Sequence, residues 1–322
     1  MTAIRFEHVS KTYNNAEEAS VVDVSLAVEQ GSFVVLLGPS GCGKTTLLKM
    51  VNRLHEPTAG TIYMDNVDIR EMLLTDLRRQ IGYVIQQVGL FPHMTVARNI
   101  SVVPELLGWE QPRIDARIDE LLALIGMAPE NFRDRYPAQL SGGQQQRIGL
   151  ARALAADPKL MLMDEPFGAI DAINRETLQD EMISLQQKLH KTILFVTHDV
   201  DEALKLADKI VIMREGSVVQ YASPCDILMA PANDFVANLM NSDDRIRQLS
   251  MLLVETVMEP LPEEKVWQNA PTLDSKADLR MALSVLLRPG IEGAVVVNQL
   301  ERVGWLSMKA LQAAGCNMEA TT

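Results

Sequence analysis

An α/β fold built around a parallel sheet is what this 322-residue sequence predicts, and three observations carry it. Residues 33–37 (FVVLL), 159–164 (KLMLMD) and 191–197 (KTILFVT) are short, nearly unbroken apolar runs, the pattern of strands covered on both faces. Each run gives way at its carboxyl end to polar or glycine-rich residues, and that end is where open α/β sheets gather ligands. The first run enters GPSGCGKTT at 38–46 and then TTLLKMVNRL at 45–54, a strand–loop–helix order.

The remaining elements follow in chain order. The first 35 residues alternate as strands do, in TAIRFEHVS and VVDVSLAVE. GYVIQQ at 82–87 reads as a short strand ending near Gln86, and residues 90–155 turn largely helical, with IDARIDELLALIGM and then LSGGQQQRIGLAR at 140–152. GSVVQYASP at 216–224 predicts a turn and a short strand, and APANDFVANLM a helix that closes a first domain at about 240. Beyond it, SKADLRMALSVLLRPG predicts a helix with a capping box of Ser275 and Asp278, ending by Pro289. GAVVVNQLERVGWLS reads as two strands about a turn. The expected organisation is a domain at 1–240 and a linker with a small α/β domain at 241–322.

Composition narrows the function classes. Apolar residues make up 47 % and charged residues 22 %, as in ordinary globular chains rather than disordered ones. A net charge of −12 argues against nucleic acid as the main partner. No apolar run reaches the roughly 18 residues that cross a bilayer, and the N-terminus has no signal-peptide core, so a cytoplasmic location is expected. Cys42, Cys225 and Cys316 are too widely spaced to suggest a disulfide framework or a zinc site.

The chemistry lies at the strand ends. Gly38 to Thr45 fits G-x-x-x-x-G-K-[ST] at every fixed position. Such a loop, here Gly38, Pro39, Ser40, Gly41, Cys42 and Gly43, surrounds phosphates with backbone N–H groups. Lys44 would reach the β and γ oxygens, Thr45 would ligate Mg²⁺, and Thr46 continues the helix start. Asp164 would serve the metal shell and Glu165 would polarise an attacking water. Ser141, Gly142, Gly143 and Gln144 form a second helix start suited to an anion, without a lysine. His198 ends the strand TILFVT, and Tyr13 is an aromatic that could stack on a base; alone, either residue would more often be a packing residue.

LSGGQ at 140–144, ahead of the Asp164 strand and paired with GPSGCGKT, closely resembles the ATP-binding subunit of ABC transporters over about residues 4–240. The resemblance implies a P-loop NTPase fold with a β-rich N-terminal part, a parallel-sheet core and a helical subdomain. It implies ATP and Mg²⁺ as ligands, with Tyr13 stacking on adenine and Gln86 sensing Mg²⁺, water and the membrane partner. Glu165 becomes the catalytic base, His198 the contact to the γ-phosphate, and Asp171 in FGAID a dimer-contact residue. It also implies a head-to-tail homodimer in which Ser141–Gly143 of one subunit closes over ATP held by the other's Lys44, so the two anion grips serve different nucleotides. The partners implied are separate permease subunits and, indirectly, a substrate-binding protein, with the chain peripheral on the cytoplasmic face of the inner membrane.

IGYVIQQVGLFPHMTVARNISVVPEL at 81–106 resembles the quaternary-amine branch, importers of glycine betaine, choline, carnitine or proline betaine used in osmoprotection. An importer of another small solute such as an amino acid, or a non-transport ATPase of the same family, is the alternative. A small-molecule kinase would explain Lys44 but leave LSGGQ unused. The tail, from VMEPLP at 257–262 onward, resembles a single CBS repeat, a regulatory module that normally works in pairs; a plain dimerisation tail is the other reading.

Overall fold

The computed structural model describes residues 2–14, 18–86, 89–168, 172–242, 244–262, 270–289, 291–299 and 301–311. The chain divides into two compact units, Met1–Tyr221 and Ala222–Thr322. The sequence reading placed the break after 240. Within this division the helices at 224–229 and 234–240 fall in the second unit, where they contact each other and the first of them contacts the helix at 245–249.

The first unit holds two sheets. Strands β1 (Thr2–Lys11), β2 (Val21–Glu29), β4 (Ala59–Met64) and β5 (Val67–Asp68) form a sheet in the order β2-β1-β4-β5, and its paired strands run antiparallel. The larger sheet has the order β10-β9-β3-β8-β7-β6, from β3 (Phe33–Leu37), β6 (Ile81–Val84), β7 (Leu160–Asp164), β8 (Thr192–Thr197), β9 (Lys209–Arg214) and β10 (Ser217–Ala222). Its pairs β9-β3, β3-β8, β8-β7 and β7-β6 are all parallel. β3 and β8 are buried at every residue, which is why their sequences show no alternation. β9, with the sequence KIVIMR, went unread in the sequence although it has the same apolar character.

Helices complete this unit: α1 (Lys44–Val51), α2 (Leu74–Arg79), α3 (Val96–Leu106), α4 (Gln111–Leu124), α5 (Pro129–Phe132), α6 (Gly142–Leu154), α7 (Ala172–Leu189) and α8 (Val200–Leu206). Leu47, Leu48, Met50 and Val51 of α1 join one core with Val34, Leu36, Leu162, Leu194 and Val196 from the sheet and with Ile4, Phe6 and Ile62 from the smaller sheet. The phosphate-loop helix is thereby fixed between the two sheets. α3, α4 and α6 pack on one another, the helical region expected from 90 to 155.

The second unit contains α9 (Pro224–Met229), α10 (Asp234–Met240), α11 (Arg245–Leu249), β11 (Thr272–Asp274), α12 (Leu279–Leu286), β12 (Gly293–Asn298) and β13 (Glu301–Ser307). β11 pairs parallel with β12, which pairs antiparallel with β13, as the two-strand reading of 293–307 expected. Leu279, Ala282 and Leu286 of α12 bury against Leu273, Ala294, Val296 and Leu306. The cap differs from the sequence reading. Asp278 itself is the N-cap, accepting from the Met281 amide at 2.6 Å, while the buried Ser275 stands three residues before the cap.

Candidate active site

Four parallel strands of the large sheet deliver the site. In register, Leu37 of β3 lies beside Thr197 of β8, Val196 of β8 beside Asp164 of β7, and Met163 of β7 beside Val84 of β6. The carboxyl ends of four chain segments far apart in sequence thus stand side by side, about 4.8 Å per strand. From them emerge the 38–46 loop, His198, Glu165 and Gln86.

The loop after β3 turns through Gly43, the N-cap of α1, at φ +102°. A Cβ there would stand 2.3 Å from the Ser20 carbonyl oxygen, so only glycine fits. Gly43 has no side chain with which to cap α1, so the first-turn amides remain for an anion. Cys42 is buried within the loop, while Pro39, Ser40 and Gly41 are exposed. Lys44 is 5 % exposed and donates from Nζ to the carbonyls of Gly38 (2.7 Å) and Pro39 (2.9 Å), with the Cys42 sulfur at 3.7 Å.

Thr45 Oγ1 donates to Asp164 Oδ1 at 2.8 Å, joining α1 to the end of β7. Asp164 is held above the ordinary carboxylate range, first by burial and further by neighbouring Glu165, while the Thr45 bond, Lys49 and Lys44 pull it down. Next in the chain, Glu165 adopts φ +46°, a left-handed conformation that costs a non-glycine residue of order 1 kcal/mol. Its amide donates to Val196 O at 3.0 Å, which fixes its aim. Gln86 Nε2 donates to Glu165 Oε2 at 3.2 Å, and His198 Nδ1 lies 3.3 Å from Glu165 Oε1. Glu165 therefore stands between Gln86 and His198. Beneath this row, burial and the field of Asp164 push the Tyr83 phenol up to about 12.

The hydroxyl of Thr45, the carboxylate of Asp164 and the amide oxygen of Gln86 are all hard oxygen donors, and a carboxylate whose charge is penalised by burial is relieved by a cation. These residues fit Mg²⁺.

The second helix start is built differently. Ser141 Oγ accepts from the Gln144 amide (3.3 Å) and Gln144 Oε1 accepts from the Ser141 amide (3.0 Å), a reciprocal capping box. The amides of Gly142 and Gly143 stand outside that exchange. A Cβ on Gly142 would meet nothing within 4 Å, so this end of α6 offers open space for close approach.

Of the residues singled out from the sequence, Lys44, Thr45 and Asp164 form one cluster, and Gln86, Glu165 and His198 a second that adjoins it through the consecutive residues Asp164 and Glu165. Ser141 and Gln144 bond each other rather than this cluster. Tyr13 is half-buried, meeting His55 edge-on at 5.4 Å with Lys11 Nζ 5.3 Å from its ring centre. Asp171 and Cys316 lie outside the described residues. Sequence reasoning missed Thr197 and Glu202, whose side chains join at 2.7 Å beside His198. Only the N-cap signal of Asp199 ahead of VDEALKL was there to draw attention to them.

Comparison with known proteins gives the family. Residues 21–168 match the family model described as ABC transporter. A choline transport ATP-binding protein of Bacillus subtilis, OpuBA, is 50 % identical over 93 % of this chain and 76 % of its own length. This chain is a member of the ABC transporter ATP-binding family. It is an ATPase of the P-loop fold. Other members are similar to a comparable degree. The glycine betaine uptake system ATP-binding protein YehX of Escherichia coli is 49 % identical over 92 % of this chain and 94 % of its own. The dimeric bacterial ABC transporter cassette MJ0796 superposes with a TM-score of 0.62 at 34 % identity, covering 69 % of this chain and 98 % of that one. Among the described residues, no helix is long and apolar enough to cross a membrane.

Proposed function

We propose that this chain powers the import of a quaternary-amine osmoprotectant, such as glycine betaine or choline, through a separate permease fed by a substrate-binding protein. The observation that carries the solute class is the agreement of relatives: proteins 48–50 % identical over more than 90 % of the chain are named for choline, carnitine and glycine betaine transport. The chain would sit on the cytoplasmic face of the inner membrane. Residues 1–240 are assigned to ATP binding and 241–322 to a single CBS-like regulatory or dimerisation domain, supported by the three-stranded sheet backed by α12.

The site geometry supports a division of labour at ATP. Lys44 and the first-turn amides of α1 hold the β- and γ-phosphates, exchanging the carbonyls of Gly38 and Pro39 for phosphate oxygens. Thr45, Asp164 and Gln86 would hold Mg²⁺, which would supply positive charge against the phosphates. Glu165 takes the proton of the attacking water, aimed by its strained backbone and by Gln86 and His198 on either side. His198 contacts the γ-phosphate. The open start of α6 at Ser141–Gly143 closes over the ATP of a second copy, with Tyr13 against adenine and Asp171 at the dimer contact. Loss of the γ-phosphate then removes the charge that holds the two surfaces together.

A groove of about 400 Å³ lined by Arg78, Tyr83, Ile85, Phe91, Val102 and Arg152 supports the permease assignment. Exposed Phe91 and Ile85 sit in it, and the segment 81–106 that carries the quaternary-amine resemblance forms much of its wall. The test is uptake by a transporter reconstituted from this chain, a permease that copurifies with it and a substrate-binding protein. ATP-dependent accumulation of labelled glycine betaine or choline is expected. Uptake of an amino acid instead, or copurification with ribosomes or DNA in place of a permease, would overturn the assignment.

A further inference from the structure

His198 is the γ-phosphate contact proposed above, yet its ring is largely exposed, at 60 %, so packing does little to hold it. Its place is set by the backbone of 197–199, and that backbone is bound into a buried polar network. Thr197, the last residue of β8 and 2 % exposed, donates from Oγ1 to Glu202 Oε2 at 2.7 Å and accepts from the Asp199 amide at 3.0 Å. Asp199 Oδ1 in turn accepts from the amides of Asp201 (2.9 Å) and Glu202 (3.1 Å), capping α8. Glu202 is itself only 5 % exposed.

A buried carboxylate is costly unless paired and bonded. The pairing here comes from another element: Arg175, in the first turns of α7, has Nη1 3.6 Å from Asp199 Oδ2 and Nε 3.9 Å from Glu202 Oε1. Lys205 of α8 adds a 2.7 Å ion pair to Asp180 of α7. α7 and the His198 turn are thus joined by charge across a short span, and Arg175 lies four residues along the chain from Asp171.

We propose that Thr197 and Glu202 are positioning residues of the ATPase, holding the His198 turn on the sheet edge and, through Arg175, tying its placement to the start of α7. Neither residue touches nucleotide; both act through His198. This rests on the reading of His198 as the γ-phosphate contact.

The test compares steady-state ATP hydrolysis by the full chain in the wild type, Thr197→Val, Thr197→Ser, Glu202→Gln, His198→Ala and the double variant Thr197→Val/His198→Ala. Thr197→Val keeps shape but removes both bonds of the hydroxyl. It is expected to lower kcat about tenfold while KM for ATP stays within about twofold. Thr197→Ser, which restores the hydroxyl alone, should return most of the rate. Glu202→Gln, which keeps an acceptor for Thr197 but drops the charge facing Arg175, should fall between. The double variant should be no slower than His198→Ala, because the hydroxyl acts only through the ring. A merely structural role would lower the two rates multiplicatively and show no rescue by serine. Wild-type kcat in both Thr197→Val and Glu202→Gln beside a disabled His198→Ala, or a multiplicative double variant, overturns this inference alone. Wild-type kcat in His198→Ala overturns the reading of His198 as well.

Discussion

Replacement of Glu165 by glutamine tests the centre of the site with little structural disturbance. The amide has the size of the carboxylate, and its oxygen can still accept from Gln86 Nε2, now at 3.2 Å. The φ of +46° is unchanged by the substitution, so folding stability should stay within about 1 kcal/mol of wild type. What disappears is the base between Gln86 and His198. Loss of a general base slows a reaction by roughly 10²–10⁴, at least about 2.7 kcal/mol on the barrier. Hydrolysis followed in a single turnover should fall at least about a hundredfold, with ATP still bound. Uncleaved ATP then stays between two subunits, and gel filtration should show a dimer with ATP and a monomer without it. Glu165→Gly is the companion variant: it relieves a left-handed strain of about 1–2 kcal/mol, offset in part by glycine's greater freedom when unfolded. It should melt no lower than wild type by more than about 1 kcal/mol of stability yet hydrolyse as poorly. A rate loss under about tenfold in Glu165→Gln, or monomers at saturating ATP, would refute the assignment of Glu165 as base.

Three further outcomes follow from the same geometry. Ser141→Arg should abolish hydrolysis and ATP-driven dimerisation while ATP affinity of the monomer, measured by titration calorimetry, changes by less than about threefold, because the ligand of this helix start belongs to the other subunit. Gly43→Ala places a Cβ 2.3 Å from the Ser20 oxygen at φ +102° and should cost more than about 2 kcal/mol in urea unfolding. Asp68 is held below the usual carboxylate range, first by its side-chain bond to Arg70. A carboxylate with a depressed folded pKa adds stability above its unfolded value, near 3.8, and loses it as pH falls through the folded value. Asp68→Asn should therefore lower the melting temperature at pH 7, by less than about 1 kcal/mol of stability since Arg70 is half-exposed, and match wild type at the acid end of the same pH series.

Much of the site was legible because its parts are local. GPSGCGKT is one turn with its own helix, Ser141 and Gln144 cap each other across three residues, and KLMLMD and TILFVT announce buried strands by composition alone. The missed β9 has the same apolar character as its neighbours, and Thr197 looked like an ordinary strand end because its partner Glu202 lies a helical turn further on. The cap of α12 was misplaced by three residues because a serine and an aspartate both suit an N-cap, and only the backbone path decides which begins the helix.

What the sequence determined by itself was the kit of phosphate loop, acidic strand end, histidine strand end and glycine-led helix, since each is written in consecutive residues. Only the tertiary structure decided that β8, 155 residues after β3, pairs beside it and next to β7, and so set Glu165 within reach of both Gln86 and His198. Strand order is chosen by backbone hydrogen bonds and shared burial between segments distant along the chain, and no local pattern records that choice.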